Sequence, residues 1–580
     1  MLDRKAFFFS PPPKLSYLKL GIFGGESGKF PRSPFGPCTQ PKAGEGCTTT
    51  MTTTTRPLLI AAIAIAVGAI AIARFNHLVD LVPGVAVVGP PSFWSAASSP
   101  SSKQTCGLLD AASFAIRSER VVTPAGVVPA TIRVEAGTIV EVRVGRRPEQ
   151  KNDDGGDEIE ETVVVDYGDL VVSPGLIDLH VHLNEPGREA WEGFATGTAA
   201  AAAGGVTTVI DMPLNSKPAA TSAAVLASKM RRAQGKLHVN AGFWAGLVPE
   251  NAHDPKELAA MLDLGAFGFK AFMSPSGIDD FGHANATDLT AGLEILSAFG
   301  RPLMVHAEQV FDVTPEGAPH EYATYMNTRP PDFERDAMRT LIAVSEGLGR
   351  RGVAHKIHVA HVADGGALAD AGAYKKRAAF SSDSGSSFTV ETCPHYLSLQ
   401  AEDIADGRTE FKCAPPIRGA ANRKALWEGL MEGWVDSIGS DHSPSPASLK
   451  QVDTGDFLQA WGGIAGLQYS LPATWSPGQP FGLDLDKLAE LWSHNPARIS
   501  GLSHDTGAIE VGKRADLVVW DDGADAATEP EALRHRHKMT PYKNAAMKGR
   551  VHATFVAGAK VFEGGTLASE KCGDVLVPKR

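Results

Sequence analysis

The 580-residue sequence is poor in cysteine, has few aromatic residues and carries no excess of positive charge. Its cysteines show no paired spacing of the zinc-knuckle or disulfide-framework kind, so we interpret most of them as free thiols. They are Cys38, Cys47, Cys106, Cys393, Cys413 and Cys572. The net charge of −11 is spread along the chain, which excludes a basic surface for nucleic acid. A small-molecule substrate fits this composition better than a polyanion.

Long hydrophobic runs are also scarce, with one exception near the N-terminus. Residues 1–56 are rich in Pro, Gly, Ser and Thr and predict a disordered extension, residues 57–73 are apolar, and residues 74–106 predict a linker. The apolar run is at the short limit for a membrane-spanning helix. Two interpretations stay open: a membrane anchor, or a secretory signal segment with Met51 as the real start. We expect entry into the secretory pathway or the endoplasmic reticulum membrane through this segment, and a cytoplasmic protein without it.

The pattern from residue 175 onward is that of a parallel sheet with crossover helices, because short apolar runs alternate with alanine-rich helical stretches. Eight strands are predicted, at residues 176–182, 206–213, 238–246, 267–273, 302–307, 356–362, 388–394 and 435–441. Eight strands with helices between them are the number that closes a (β/α)8 barrel, so we predict a TIM-like barrel over residues 175–500.

Both flanks of this barrel consist of strands only. Strands are predicted at residues 114–122, 128–135 and 138–144 before it, and at 507–511, 516–520, 551–557 and 559–562 after it. Neither flank has enough residues to close a core alone. We therefore predict one small β-sandwich built jointly from residues 107–174 and residues 501–570, which makes the fold class α/β with an added β domain.

The most informative local feature is a pair of histidines, His180 and His182, on the first predicted barrel strand. Side chains alternate across a strand, so both imidazoles face the same side and can bind one metal. An isolated pair of this kind is more often structural. Further polar residues of metal-binding type, however, lie at the ends of later predicted strands, where the active site of a barrel forms. They are Lys270, His306, His361 and Asp441.

Four imidazoles, a carboxylate and one more oxygen ligand suffice for two divalent ions bridged by water. Lys270 does not fit this set as an ammonium, because a cation repels metal ions. Residues 175–182, the strand-four lysine, the two later histidines and residues 440–444 resemble the cyclic amidohydrolases of the amidohydrolase superfamily. That resemblance implies that carbon dioxide carboxylates Lys270 and that the resulting carbamate bridges two metals.

The resemblance also implies a division of the ligands. His180, His182 and Asp441 would hold one ion, and His306 and His361 the other. Asp441 would act as the base on the attacking water and then as the acid to the leaving nitrogen. We expect zinc, with iron, cobalt and manganese as alternatives that the same ligands accept. The family further implies a homo-oligomer, often a tetramer.

Within that family, residues 184–188, 191–194, 211–216, 461–468 and 537–542 are similar to those of allantoinases. The similarity implies hydrolytic opening of the hydantoin ring of allantoin to allantoate. Asn184 stands where dihydroorotases have an arginine for a substrate carboxylate, and an amide suits a neutral ureido-hydantoin better. We expect Asn184, Asn215 and Arg188 to contact the substrate, although Arg188 fits a structural pair with Glu192 equally well.

Two alternatives stay open. A dihydropyrimidinase or hydantoinase would use the same ligands on another cyclic amide. A non-catalytic scaffold of this fold would have no use for the ligands, and their retention argues against it.

The chain departs from the family after His361, where Val362, Ala363 and Asp364 replace a serine-rich turn.

Overall fold

The computed structural model describes residues 106–109, 111–145, 163–378, 380 and 385–579. The predicted N-terminal extension, the hydrophobic segment 57–73 and nearly all of the linker lie outside these residues. Among the residues that are described, no helix is both long enough and apolar enough to cross a membrane. The membrane-anchor and signal interpretations therefore stay predictions.

The N-terminal flank forms five strands. They are β1 (Ser113–Thr123), β2 (Gly126–Glu135), β3 (Thr138–Val144), β4 (Val163–Asp166) and β5 (Val171–Pro174). β1, β2 and β3 form an antiparallel meander, while β4 and β5 pair with β1 in parallel. Gly137, in the turn between β2 and β3, has a φ of 81°, and a Cβ there would lie 2.4 Å from the carbonyl oxygen of Ala557. Glycine at this turn thus permits close contact with the C-terminal flank.

The central part of the chain is the barrel, and all eight strands predicted from the sequence are present. One of them is interrupted at Trp244 into two segments, β8 and β9. The strands are β6 (Leu176–Val181), β7 (Val206–Asp211), β8 (Asn240–Phe243), β9 (Ala245–Gly246), β10 (Phe269–Phe272), β11 (Leu303–His306), β12 (Lys356–Val359), β13 (Ser387–Thr392) and β14 (Ser437–Ile438). Neighbours pair in parallel, and a parallel bridge between Val181 and His442 closes the ring.

Helices follow most of the strands and cover the barrel. They are α1 (Phe194–Ala203), α2 (Ala223–Ala233), α3 (Pro255–Asp263), α4 (Ala286–Ser297), α5 (Tyr322–Asn327), α6 (Asp332–Arg350), α7 (Gly365–Ala378), α8 (Pro394–Ser398), α9 (Ala420–Met431), α10 (Ser470–Gly478), α11 (Leu485–Ala489) and α12 (Asn495–Ser500). The apolar residues of α6 recur every three or four positions, so one face packs on the barrel. α4 begins with a reciprocal capping box between Asn285 and Asp288.

The C-terminal flank completes the sheet that β1 to β5 begin. It adds β15 (Leu517–Asp525), β16 (Lys548–Val556), β17 (Ala559–Glu563) and β18 (Thr566–Leu567), with β15 pairing antiparallel to β5. Where the sequence predicts a sandwich, strands from both flanks form one continuous hydrogen-bonded sheet. Phe114 on β1 stacks on Phe555 on β16 with ring centroids 5.9 Å apart. Three strand steps would separate them by ~14 Å in a flat sheet, so the sheet curls around its own core.

The cysteines depart from their predicted state. Cys106 and Cys572 form a disulfide across 466 residues of sequence, a separation at which no local spacing pattern can reveal a pair. Cys393 and Cys413 are buried free thiols, as expected, and Cys38 and Cys47 lie outside the described residues. Beyond Cys572 the C-terminal tail runs beside β8, where its backbone makes two hydrogen bonds of 2.8 and 2.9 Å with Ala241.

One buried histidine makes the fold sensitive to acid. His535 is fully buried, neither ring nitrogen has a hydrogen-bond partner among the described residues, and burial together with nearby His442 lowers its pKa to about 3. In the unfolded chain a histidine has a pKa of about 6.5. As the pH falls below about 6.5, the unfolded chain therefore binds a proton that the folded chain does not, and the folded state loses stability.

We expect His535→Leu to remove this contribution. Between pH 7 and pH 5 the free energy of unfolding of the parent chain should fall by about 2 kcal/mol more than that of the variant. Urea denaturation at the two pH values measures the difference. His504→Asn, at an exposed position, is the matched control and should behave like the parent chain. Equal pH dependence in His535→Leu and the parent chain would contradict the assignment.

Candidate metal centre and substrate cavity

Three of the sequence-predicted ligands meet where the barrel closes. His180 lies within β6, His182 follows that strand directly, and Asp441 follows β14. The Nε2 atoms of the two histidines lie 3.3 and 3.4 Å from Oδ1 of Asp441. All three side chains are buried, and their ligand atoms are close enough together to hold one metal ion.

Two more histidines meet on the opposite side of the same rim. His306 ends β11 and His361 comes two residues after β12, and Nδ1 of His306 lies 2.9 Å from Nε2 of His361. Phe272 stacks on the His306 ring with centroids 4.4 Å apart. The rings of His180 and His361 are 5.3 Å apart, so the four imidazoles form one cluster.

Lys270, on β10, belongs to this cluster but is the least satisfied group in it. Its side chain is fully buried, and its Nζ has no hydrogen-bond partner among the described residues. Burial lowers the pKa of Lys270 to about 8, an effect that the carboxylates of Asp441 and Glu391 oppose. A buried ammonium without a hydrogen bond is costly, whereas a metal-bridging anionic group at this nitrogen would be well placed. The donor set therefore fits a pair of divalent cations.

Each half of the cluster contains a histidine held by a buried glutamate. Nδ1 of His180 donates to Oε1 of Glu391 at 2.7 Å, and Nε2 of His306 donates to Oε2 of Glu308 at 2.8 Å. Burial would raise the pKa of both carboxyls, but their cationic and hydrogen-bonding neighbours lower it to about 2. Such carboxylates fix the ring orientation and the tautomer of a metal-binding histidine. Each histidine then directs its other nitrogen towards the centre.

Strained backbone marks the same place. Four residues at the rim have positive φ angles: Asn184 at 64°, Asn215 at 65°, His361 at 40° and Asp441 at 44°. Asparagine and aspartate tolerate the left-handed region, but a bulky residue such as histidine adopts it at a cost. Strain of this kind persists where the surrounding structure imposes it, and it concentrates at functional sites.

The three predicted substrate contacts occupy different positions. Asn215 lines the cavity above the cluster, with its Nδ2 3.3 Å from Nδ1 of His182. Asn184 is fully buried outside the cavity lining, and its Nδ2 donates to the carbonyl oxygen of Pro444 at 3.4 Å. Arg188 also lies outside the lining, and its guanidinium lies 4.5 Å from the ring centroid of Trp191. The substrate roles of these residues stay predictions.

The alternative partner considered for Arg188 is engaged elsewhere. Glu192 is buried, its carboxylate accepts a hydrogen bond of 3.0 Å from the backbone nitrogen of Arg536, and its Oε2 lies 3.4 Å from Nε2 of His442. Arg188 instead donates from Nη1 to the carbonyl oxygen of Asn215 at 3.3 Å. The contact therefore supports the loop that carries Asn215.

The cavity measures about 450 Å³ and is open to solvent above the metal cluster. Besides the histidines and Asp441, its wall contains two long cationic side chains, Arg329 and Lys412. Nζ of Lys412 donates to the carbonyl oxygens of Ala460 at 2.6 Å and Leu458 at 3.3 Å, and burial lowers its pKa to about 8. Arg329 forms an ion pair with Glu308. Both cations therefore already have protein partners.

The sequence matches the amidohydrolase family over residues 171–561 and the composite domain of allantoinases over residues 109–170. The chain belongs to the amidohydrolase family. An amidohydrolase barrel with a jointly built β domain is what the sequence predicted, and both the family and the fold class are confirmed.

Relatives and solved structures agree with this membership. The allantoinase of Arabidopsis thaliana is 43% identical over 493 residues, covering 83% of this chain and 94% of the relative. The allantoinase of Saccharomyces cerevisiae is 37% identical, covering 77% of this chain and 95% of the relative. Among solved structures, the L-hydantoinase (dihydropyrimidinase) of Arthrobacter aurescens superposes with a TM-score of 0.71 at 27% identity, covering 80% of this chain and all of its own.

Two residues of this amidohydrolase centre were not assigned from the sequence. Glu308 follows His306 by two positions, so the rule that metal-binding histidines donate to carboxylates would have identified it. Glu391 lies on the strand next to β12, far from His180 in sequence, and only the folded barrel brings the two together.

We expect Lys270→Ala to lose bound metal, because it removes the only amine at the centre of the described cluster. Activity should fall more than about 100-fold, beyond the loss typical of residues that only orient ligands. Metal analysis of freshly purified protein measures the first effect and a ring-opening assay the second. Lys412→Met, a change at the other lysine of the region, should keep the metal. Full metal content in Lys270→Ala would refute the bridging role.

Proposed function

We propose that this protein is an allantoinase, which hydrolyses the hydantoin ring of allantoin to give allantoate. The observation that carries the proposal is the convergence of four imidazoles, Asp441 and Lys270 at one end of the barrel, beneath an open cavity. Relatives named allantoinase, at 37–44% identity over most of the chain, support the choice of substrate.

Two divalent ions would occupy this centre, with zinc as the expected metal. His180, His182 and Asp441 would hold one, His306 and His361 the other, and carboxylated Lys270 both. When bound, such a pair lowers the pKa of water and polarises an amide carbonyl.

Asp441 performs the proton transfer in this proposal. Burial alone would raise the pKa of its carboxyl, but His180, His182 and His361 outweigh burial and hold it well below its usual range. The carboxylate is therefore ionised and can accept a proton from the attacking water. The water oxygen bonds to the ring carbonyl carbon, the carbon–nitrogen bond breaks, and Asp441 returns the proton to the leaving nitrogen. The new carboxylic acid releases its proton to solvent, so the products are a carboxylate and a free ureido nitrogen.

The charges of the cavity wall favour a neutral substrate. Arg329 is neutralised by Glu308, and Lys412 is held by two backbone carbonyls. A substrate with its own carboxylate, such as dihydroorotate, would need a cation free to bind it. The remaining polar groups of the wall, such as Asn215 and Ser443, suit the amides of a ureido-hydantoin.

A second candidate is a hydantoinase or dihydropyrimidinase. The solved structure from Arthrobacter aurescens bears that name and shares the fold at 27% identity. The same ligands would open a dihydropyrimidine or a substituted hydantoin, so only the substrate distinguishes the two activities.

The full-length chain, loaded with zinc in bicarbonate buffer, should be assayed with allantoin, dihydrouracil, a monosubstituted hydantoin and dihydroorotate. We expect kcat/KM for allantoin to exceed the others by about 100-fold or more, a margin that a few hydrogen bonds to the ureido group can supply. Asp441→Asn should lose activity with every substrate, because it removes the proton carrier.

Preference for dihydrouracil or the substituted hydantoin would favour the second candidate. A chain that binds no metal and opens none of the four rings would instead support a non-catalytic scaffold.

A further inference from the structure

A chain of buried charges leads from the cavity wall to one of the metal-binding histidines. Glu308 is fully buried and accepts a hydrogen bond of 2.8 Å from Nε2 of His306. Arg329, just beyond the end of α5, donates to the same carboxylate through Nε at 3.1 Å and through Nη2. The carboxylate of Glu308 therefore accepts hydrogen bonds from both the imidazole and the guanidinium. It fixes the orientation of one side chain relative to the other.

The same arginine is linked to the second histidine of that pair. The backbone carbonyl oxygen of Arg329 accepts a hydrogen bond of 3.2 Å from Nη1 of Arg418. Nη2 of Arg418 in turn donates to the buried carboxylate of Glu334 at 2.7 Å. The other oxygen of Glu334 accepts from the backbone nitrogens of Ala363 at 2.8 Å and Asp364 at 3.1 Å. These nitrogens follow His361 by two and three residues. The segment after His361 is thus held by Glu334, and Arg329 contacts this network only through its backbone carbonyl oxygen.

Arg329 has donors left over. A guanidinium offers five N–H groups, and the contacts with Glu308 use only Nε and Nη2. Within the described residues no acceptor is seen for Nη1, and Arg329 lines the cavity beside Thr328. Lys412, the other long cation of the described wall, already donates to two carbonyl oxygens. Arg329 is therefore the better placed of the two to donate to a bound molecule.

We propose that Arg329 is a positioning residue with two roles. Its fork on Glu308 holds the His306 imidazole in the orientation that binds metal, and its Nη1 edge donates to a carbonyl oxygen of the bound ureide. This inference rests on the proposed function, from which it takes the metal pair and the substrate. Because the carboxylate of Glu308 neutralises the guanidinium, Arg329 offers directed hydrogen bonds without a net charge that would select anionic substrates.

Arg329→Gln and Arg329→Lys in the zinc-loaded full-length chain test both roles. Zinc retained against increasing concentrations of a chelator measures the first, and KM for allantoin measures the second. We expect Arg329→Gln to bind zinc about 10–100-fold more weakly, as for other residues that orient metal ligands. KM should rise by about 10-fold for the lost hydrogen bond. Arg329→Lys keeps the charge but not the fork, so it should weaken both to a smaller extent.

Arg143→Gln is the matched control. Arg143 also makes a guanidinium fork, with Glu141 at 2.7 and 3.1 Å, but it lies on β3, outside the barrel. This variant should retain zinc and KM. If Arg329→Gln folds poorly, Glu308→Gln tests the metal role from the other side of the pair, and it should also bind zinc more weakly.

Parent-like zinc retention in both Arg329→Gln and Glu308→Gln would overturn the role in holding His306. An unchanged KM in the two Arg329 variants would overturn the role in substrate binding. Failure of the proposed function is distinguishable, because the parent chain itself would then not hydrolyse allantoin. Chelator titration of the zinc-loaded variants would still decide the metal role in that case.

Discussion

Closure of the barrel between its first and last strands is the contact on which the whole centre depends. The backbone nitrogen of His182 donates to the carbonyl oxygen of His442 at 2.8 Å, beside the bridge between Val181 and His442. This register sets His180 and His182 opposite Asp441. Because side chains alternate along a strand, a slip of one residue would turn both imidazoles away from the carboxylate. The chemistry therefore rests on backbone pairing between distant parts of the chain.

Around this closure the protein buries several ionisable side chains. Buried carboxylates restrain the rings of His180 and His306, while Nζ of Lys270 has no hydrogen-bond partner among the described residues. An orphaned ammonium among imidazoles is unfavourable for folding alone. A bound group that pairs with Lys270 would remove this cost. Functional sites often keep side chains that are unfavourable for stability alone.

The sequence predicts well whatever depends on neighbours in the chain. Uninterrupted apolar runs identify the barrel strands, and His180 and His182 reveal a shared side by their spacing alone. It fails where partners come from distant segments of sequence: the carboxylate of Glu391 binds His180 from β13, 211 residues later in the chain, and Arg329 reaches the cavity wall from a loop after α5. Asn184 shows a second limit, because the sequence reveals neither its positive φ nor its hydrogen bond to the carbonyl oxygen of Pro444.

The bond between Cys106 and Cys572 closes residues 106–572 into a covalent ring. It joins the segment before β1 to the tail that runs along the barrel. A single cut by a protease in any loop between them would leave both fragments in one molecule, separable only after reduction. Nicked and intact chains would then have nearly the same mass until a reductant is added.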